Sequence, residues 1–242
     1  MSGSEWVDIV DNMTALSLKE TPLTIAERVF VDLRDAIVEG RITAGSKISE
    51  PELARTYDIS RGSLRDALGR LEATGLVERK PNVGARVVSL SSEGLLNLYA
   101  IREALEGMSA RLATENMSDE ELEALSELLE IHGKQISSSE SAAYFQEEGD
   151  ADFHLRLVRA SGNRQLAGLL GYDLYYQMRM YRYQFGMQSK RVPRAFMEHE
   201  QIMDAMKRRD VEQAEQLMRH HIRASRFNVE KMLAEKEGSV RS

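Results

Sequence analysis

The chain has 242 residues, a net charge of −7 and 42% hydrophobic residues, enough apolar material for one large core or two ordinary ones. It has no cysteine, which excludes disulfides, thiolate metal sites and thiol nucleophiles and fits a reducing compartment. The opening MSGSEWVDIVDNM carries acids where a secretory signal carries bases, and no later stretch holds about 18 uninterrupted apolar residues, so the sequence predicts a cytoplasmic protein with no membrane span.

The charge is uneven along the chain. Residues 1–20 set one lysine against four acids, residues 21–90 hold 11 basic and 10 acidic groups, and residues 91–242 hold 20 and 25. Only the middle segment can approach a polyanion without bulk repulsion. The expected organisation is a tail over 1–20, a small domain over 21–90, a helical domain over 91–236 and a tail over 237–242.

Residues 24–39 place Ile25, Val29, Leu33, Ala36 and Ile37 at helical spacing, with Thr24 as cap and Gly40 as stop. A short helix follows in SEPELARTYDI, capped at Ser49 or Glu50, with Pro51 in the first turn and Leu53 and Ala54 inward. Ser60 caps a third helix whose core stripe is Leu64, Ala67, Leu68 and Leu71 and which ends at Gly75. Arg61, Arg65 and Arg70 are expected on its exposed side. Beyond Gly75, LVERK-PNVG-ARVVS reads as two short strands around a turn.

Helix, short helix, helix and hairpin predict a winged helix-turn-helix. In that fold the N-terminal residues of the third helix enter the major groove, which puts Arg61 and Arg65 within reach of guanine edges. The competing reading is a solvated helix face paired with Asp66 and Glu72. The short preceding helix, the Ser-Arg start and the wing favour DNA.

The stretch GRITAGSKISEPELARTYDISRGSLRDALGRLEATGLVERKPNVGARV resembles the GntR-type transcriptional regulators over about 70 residues, in its L-A, S-R-x-x-L-R-D-A-L and L-x-x-x-G-L-V runs and its Gly-bearing wing. Ala44 stands where the family usually has Pro, Gly62-Ser63 replace a common Thr-Pro, and Pro51 stands where some relatives carry a basic residue. The resemblance implies that Arg61 and Arg65 read bases, that Ser63 and Arg55 touch phosphate, and that Gly84 lets the wing approach the minor groove. Arg70, like Arg55, is expected to weaken binding evenly across sequences when replaced. A homodimer on a palindromic operator is expected, because one short recognition helix reads few base pairs alone.

From Ser91 onward the pattern is helical, with helices expected over 92–116, 118–137, 141–160, 164–186, 194–208 and 210–236. Ser118 with Glu121 and Asp210 with Gln213 read as capping boxes. The whole chain is therefore expected to be mainly α, a winged helix-turn-helix followed by a helical bundle. Asp150 and His154 are four apart, on one helix face about 5–6 Å between Cβ atoms, a spacing that suits a shared metal ion. His199 lies about ten residues before the break at Arg209-Asp210 and His221 about eleven after it. Two antiparallel arms of that length bring the two imidazoles to one height. Polar histidines of an ordinary core are the alternative.

The resemblance extends to regulators of the FadR type, whose helical FCD effector domain in a common subset carries Asp-x-x-x-His and two later His as metal ligands. Asp150, His154, His199 and His221 occupy those places, and His132 and His220 do not. The implied cofactor is a divalent ion such as zinc or nickel, since imidazole and carboxylate do not select sharply among such ions. An open metal position implies a small carboxylic acid effector, and the resemblance places Arg102 on the helix lining the cavity, where a guanidinium can pair with the acid. Arg102 can also form an i,i+4 pair with Glu106. The other reading is a metal-dependent hydrolase or isomerase carrying a nucleic-acid-binding module, with Glu200 beside His199 as base; HExxH and G-x-S-x-G motifs are absent.

Overall fold

The computed structural model describes residues 24–80, 84–138, 153–185 and 191–240. Helix α1 (Ile25–Val38) begins with a full capping box: the Glu27 amide donates to Thr24 Oγ1 at 3.2 Å and the Thr24 amide to Glu27 Oε2 at 2.8 Å. After strand β1 (Lys47–Ile48) come α2 (Glu50–Thr56) and α3 (Arg61–Ala73). Ser60 caps α3 by accepting from the Ser63 amide, and Gly75, at φ 67°, stops it.

Strands β2 (Val77–Lys80) and β3 (Gly84–Val87) pair antiparallel, and β1 pairs with the other edge of β3 through Lys47 with Arg86 and Ile48 with Ala85. The wing is therefore three-stranded, one strand more than the hairpin read from sequence. A two-residue strand is too short to carry a readable alternation. Leu33, Ile37, Leu64, Leu68, Leu71 and Val87 are buried together as the core of this part.

The remainder is helical among the described residues: α4 (Ser92–Asn116), α5 (Asp119–Ser138), α6 (Phe153–Ala160), α7 (Arg164–Gly168), a π-helical turn (Leu169–Leu174), α8 (Tyr175–Phe185), α9 (Val192–Lys207) and α10 (Val211–Val240). The protein is thus mainly α, with the sheet confined to the wing. The Ser118–Glu121 and Asp210–Gln213 caps form, and the chain reverses between α9 and α10 through Arg209 at φ 57°. The expected helix over 164–186 is interrupted. Its LAGLLGYDL stretch carries Gly168 and Gly171, weak helix formers, and one π-helical turn is inserted there, a feature that often falls at functional sites.

Helix α4 runs through the middle of the bundle, packed on α10 along one side and on α6 on another. Ser91 caps it by accepting from the Gly94 amide at 3.0 Å. The two parts of the chain are not joined by this junction alone. Met180 of α8 is fully buried in the core formed by α1, α3 and the wing. Arg34 of α1 donates to the Tyr176 hydroxyl at 3.0 Å and lies over its ring. Gln177 fills the space where a Cβ on Gly75 would sit, 2.1 Å from its Nε2.

Candidate metal centre and nucleic-acid face

The α9–α10 hairpin brings His199 and His221 to one level, with their Nε2 atoms 3.2 Å apart. Helix α6 adds His154, whose ring centroid lies 5.0 Å from that of His199 and 5.2 Å from that of His221. One nitrogen from each of the three lies within 4.8 Å of the others. His199 and His221 are buried, and Phe153 stacks on His199 at 4.6 Å. Three imidazoles from three helices, converging away from water, fit a divalent ion that needs nitrogen donors. Asp150, the fourth expected ligand, lies outside the described residues.

Two buried glutamates stand behind this triad. Glu198 Oε2 is 2.8 Å from His221 Nδ1, and Glu106 Oε2 is 2.6 Å from His154 Nδ1. Each glutamate is itself clasped by an arginine, Glu198 by Arg191 and Glu106 by Arg102. Burial alone would raise both carboxyls, but Arg102 with His154, and His221 with Arg191, hold them below the ordinary carboxylate range. Burial drives His199 well below the usual imidazole value, and its histidine neighbours, His132 included, push the same way. Burial takes His221 down to about 4, against the opposing pull of Glu198. Both imidazoles are therefore neutral at pH 7, the state in which they can ligate a metal.

The sequence reading missed Glu198 and gave Glu106 only to Arg102. Glu200, considered there as a base beside His199, is exposed, because its neighbour on the helix already takes the inward face. Arg102 does form the i,i+4 pair with Glu106, and it is buried. The pair also lines a cleft together with His154, Leu155, Leu170, Leu174 and Arg179. The cleft thus combines apolar side chains with two guanidiniums, a carboxylate and an imidazole, beside the π-helical turn.

On the opposite part of the chain, Arg61 and Arg65 are exposed at the start of α3. Arg65 reaches Glu50 only at 3.5 Å and is 71% exposed, so the contact is weak. The Ser63 hydroxyl lies 2.9 Å from that of Ser60, and Arg55 donates to the Pro51 carbonyl at 3.2 Å. Gly84 has φ 95° with open space where a side chain would begin, a conformation that favours glycine at the wing. Arg70 is exposed too, as expected. Nine residues after Arg61, it is turned about half a turn around the helix, over the Phe30 ring of α1 at 4.4 Å and 3.9 Å from Glu27.

Residues 25–87 match the family described as bacterial regulatory proteins, gntR family, and residues 97–224 match the FCD domain. The chain is 31% identical over 223 residues to the probable D-xylose utilization operon transcriptional repressor of Paenarthrobacter nicotinovorans, covering 88% of this chain and 92% of that one. It is also 31% identical over 219 residues to the HTH-type transcriptional regulator LutR of Bacillus subtilis, covering 82% of this chain and 96% of that one. Among solved structures, E. coli McbR/YncC superposes with a TM-score of 0.64 at 22% identity, covering 87% of this chain and 99% of that one. That likeness concerns the fold.

Proposed function

Because the chain belongs to the GntR family of transcriptional regulators and carries an FCD domain, we propose that it is a repressor whose DNA affinity is set by a small carboxylic acid bound beside a divalent metal ion. The observation that carries this reading is the convergence of His154, His199 and His221, next to a cleft holding Arg102. Asp150 is read as the fourth ligand. The ion is zinc or nickel, and when bound it supplies a Lewis-acidic anchor for a carboxylate oxygen. A guanidinium carries five N–H donors, so Arg102 can serve Glu106 and a ligand carboxylate together.

In this reading the chain divides its work near residue 90. Residues 21–90 read double-stranded DNA, with Arg61 and Arg65 at base edges, Arg55 and Ser63 on phosphate and Gly84 at the minor groove. Residues 91–236 bind metal and effector and form the homodimer that matches a palindromic operator. Exposed Ile101 and Met108 on α4, seven residues apart, and Phe227 on α10, 70% exposed, offer the apolar surface such a dimer needs. No described helix is long and apolar enough to cross a membrane, and the reading places the protein in the cytoplasm. The family and relatives are regulators, and the triad is read as a sensor rather than as the centre of a hydrolase or isomerase.

The test is elemental analysis of protein purified without chelator, followed by binding to DNA from its own upstream region. About one divalent ion per chain is expected, lost in His199→Ala while DNA binding survives. Absence of metal after divalent ions are added back would reduce the triad to polar packing. Arg65→Ala is expected to lose about 1–3 kcal/mol of operator affinity, with metal content unchanged.

A further inference from the structure

Two of the three histidines stand at the end of the same chemical sequence. Arg102, Glu106 and His154 are joined side chain to side chain on one flank of the triad, and Arg191, Glu198 and His221 on another. The members of each set come from different places in the chain. Glu106 is on α4 and His154 on α6; Glu198 is on α9, His221 on α10, and Arg191 immediately precedes α9. Both glutamates are more than nine-tenths buried. Arg191 is further fixed by donating to Ser225 Oγ at 3.1 Å, so the second set is held from three sides.

A neutral imidazole carries its proton on one nitrogen, and only the other can donate to a metal. A carboxylate placed on Nδ1 decides the matter, because it accepts that proton and leaves the Nε2 lone pair free of hydrogen. At His221 the geometry is complete: Nδ1 faces Glu198 at 2.8 Å and Nε2 faces His199 Nε2 at 3.2 Å. With the His221 proton on Nδ1, the hydrogen between the two rings belongs to His199. His199 is stacked on Phe153.

We infer that Glu198 is a positioning residue of the triad, fixing the tautomer and aim of His221, with Arg191 keeping its carboxylate in place; Glu106 lies at ion-pair distance from His154 and is held by Arg102. This rests on the metal reading of the triad for its function, but the tautomer assignment stands without metal. His221 is thereby preset to offer Nε2 to an ion. The set on the cleft side has a second consequence. Arg102 touches the ligand space and Glu106 in turn touches His154, so the pairing of Arg102 with an acid in the cleft bears on the orientation of a metal ligand.

The experiment uses the full-length protein stripped of metal, with nitrogen NMR of the histidine rings to assign tautomers and zinc titration against a competing chelator to measure affinity. In the wild type, His221 is expected as the Nδ1–H form. Glu198→Ala should mix the tautomers and weaken zinc binding by about 10–100-fold. Glu198→Gln, whose carbonyl still accepts from Nδ1, should keep the tautomer and lose less affinity than Ala. A wild type with His221 as the Nε2–H form overturns the inference, as does a folded Glu198→Ala protein with unchanged tautomer and zinc affinity. If Glu198→Ala does not fold, the Gln variant decides: His221 shifted to Nε2–H in it overturns the inference, and His221 kept as Nδ1–H supports it. If the wild type binds no zinc while the tautomer follows these expectations, the metal reading fails and the positioning of His221 stands.

Discussion

Truncating Met180 to alanine tests whether the metal-bearing bundle and the DNA-reading part share a core. Met180 belongs to α8, yet it is fully enclosed by residues of α1, α3 and the wing. Removing the three heavy atoms beyond Cβ forfeits about 0.8 kcal/mol each by transfer, roughly 2.4 in all, and the cavity left behind takes the loss toward the upper part of the ~2–5 kcal/mol range seen for buried Met→Ala changes. The same helix carries Tyr175, Met178 and Arg179 on the cleft, so loosening its seat also loosens the link between cleft and DNA surface. Urea unfolding of the full chain followed by circular dichroism reads the stability change. A loss below about 0.5 kcal/mol, the range of an ordinary surface substitution, would refute the shared core and with it this route of communication.

Arg70→Ala should leave operator affinity nearly unchanged and cost about 0.5–1 kcal/mol of stability, the value of an exposed cation–π contact, because its guanidinium lies over Phe30; a loss of DNA affinity even across sequences, as a phosphate contact gives, would restore it to the binding face. Metal-free protein should lose stability as pH falls from about 6.5 toward 4. Over that window the unfolded chain protonates at His221 while the folded chain, with His221 lowered to about 4, does not, so the slope of stability with pH is positive and the loss is roughly 3 kcal/mol. Denaturant midpoints that stay level between pH 7 and 5 would contradict this. Tyr176→Phe removes the hydroxyl that Arg34 donates to while keeping the ring beneath its guanidinium, and should cost about 1 kcal/mol; an unchanged unfolding midpoint would show that this bond carries no net energy.

Local chemistry was the legible part of the sequence. Thr24, Ser60, Ser118 and Asp210 announce helix starts because a cap and its partner lie three residues apart, and those caps form. The meeting of His199 and His221 was legible for a related reason: one break between two helices of matched length fixes their relative height. Helical angle alone separates Arg70 from Arg61. What lay out of reach depends on side-chain direction across elements. Nothing in spacing ties Glu198 to a histidine 23 residues on, or Glu106 to His154 on another helix. Nor does sequence place Met180 in a core built by residues about 100 to 150 positions earlier. The π-helical turn has only its glycines as a signal, and glycines mark many other things.

Metal, carboxylate and DNA linked through one molecule should respond to one another, and fluorescence anisotropy of a labelled upstream duplex reads that response. The full-length protein, zinc-loaded or chelator-stripped, is titrated with small mono-, di- and tricarboxylic acids. At least one acid is expected to change DNA affinity by about 5–150-fold, the usual span of allosteric coupling, in the zinc-loaded protein, and stripping the metal or replacing His199 with alanine should abolish the change. An equal response in the stripped protein and the variant would contradict that expectation.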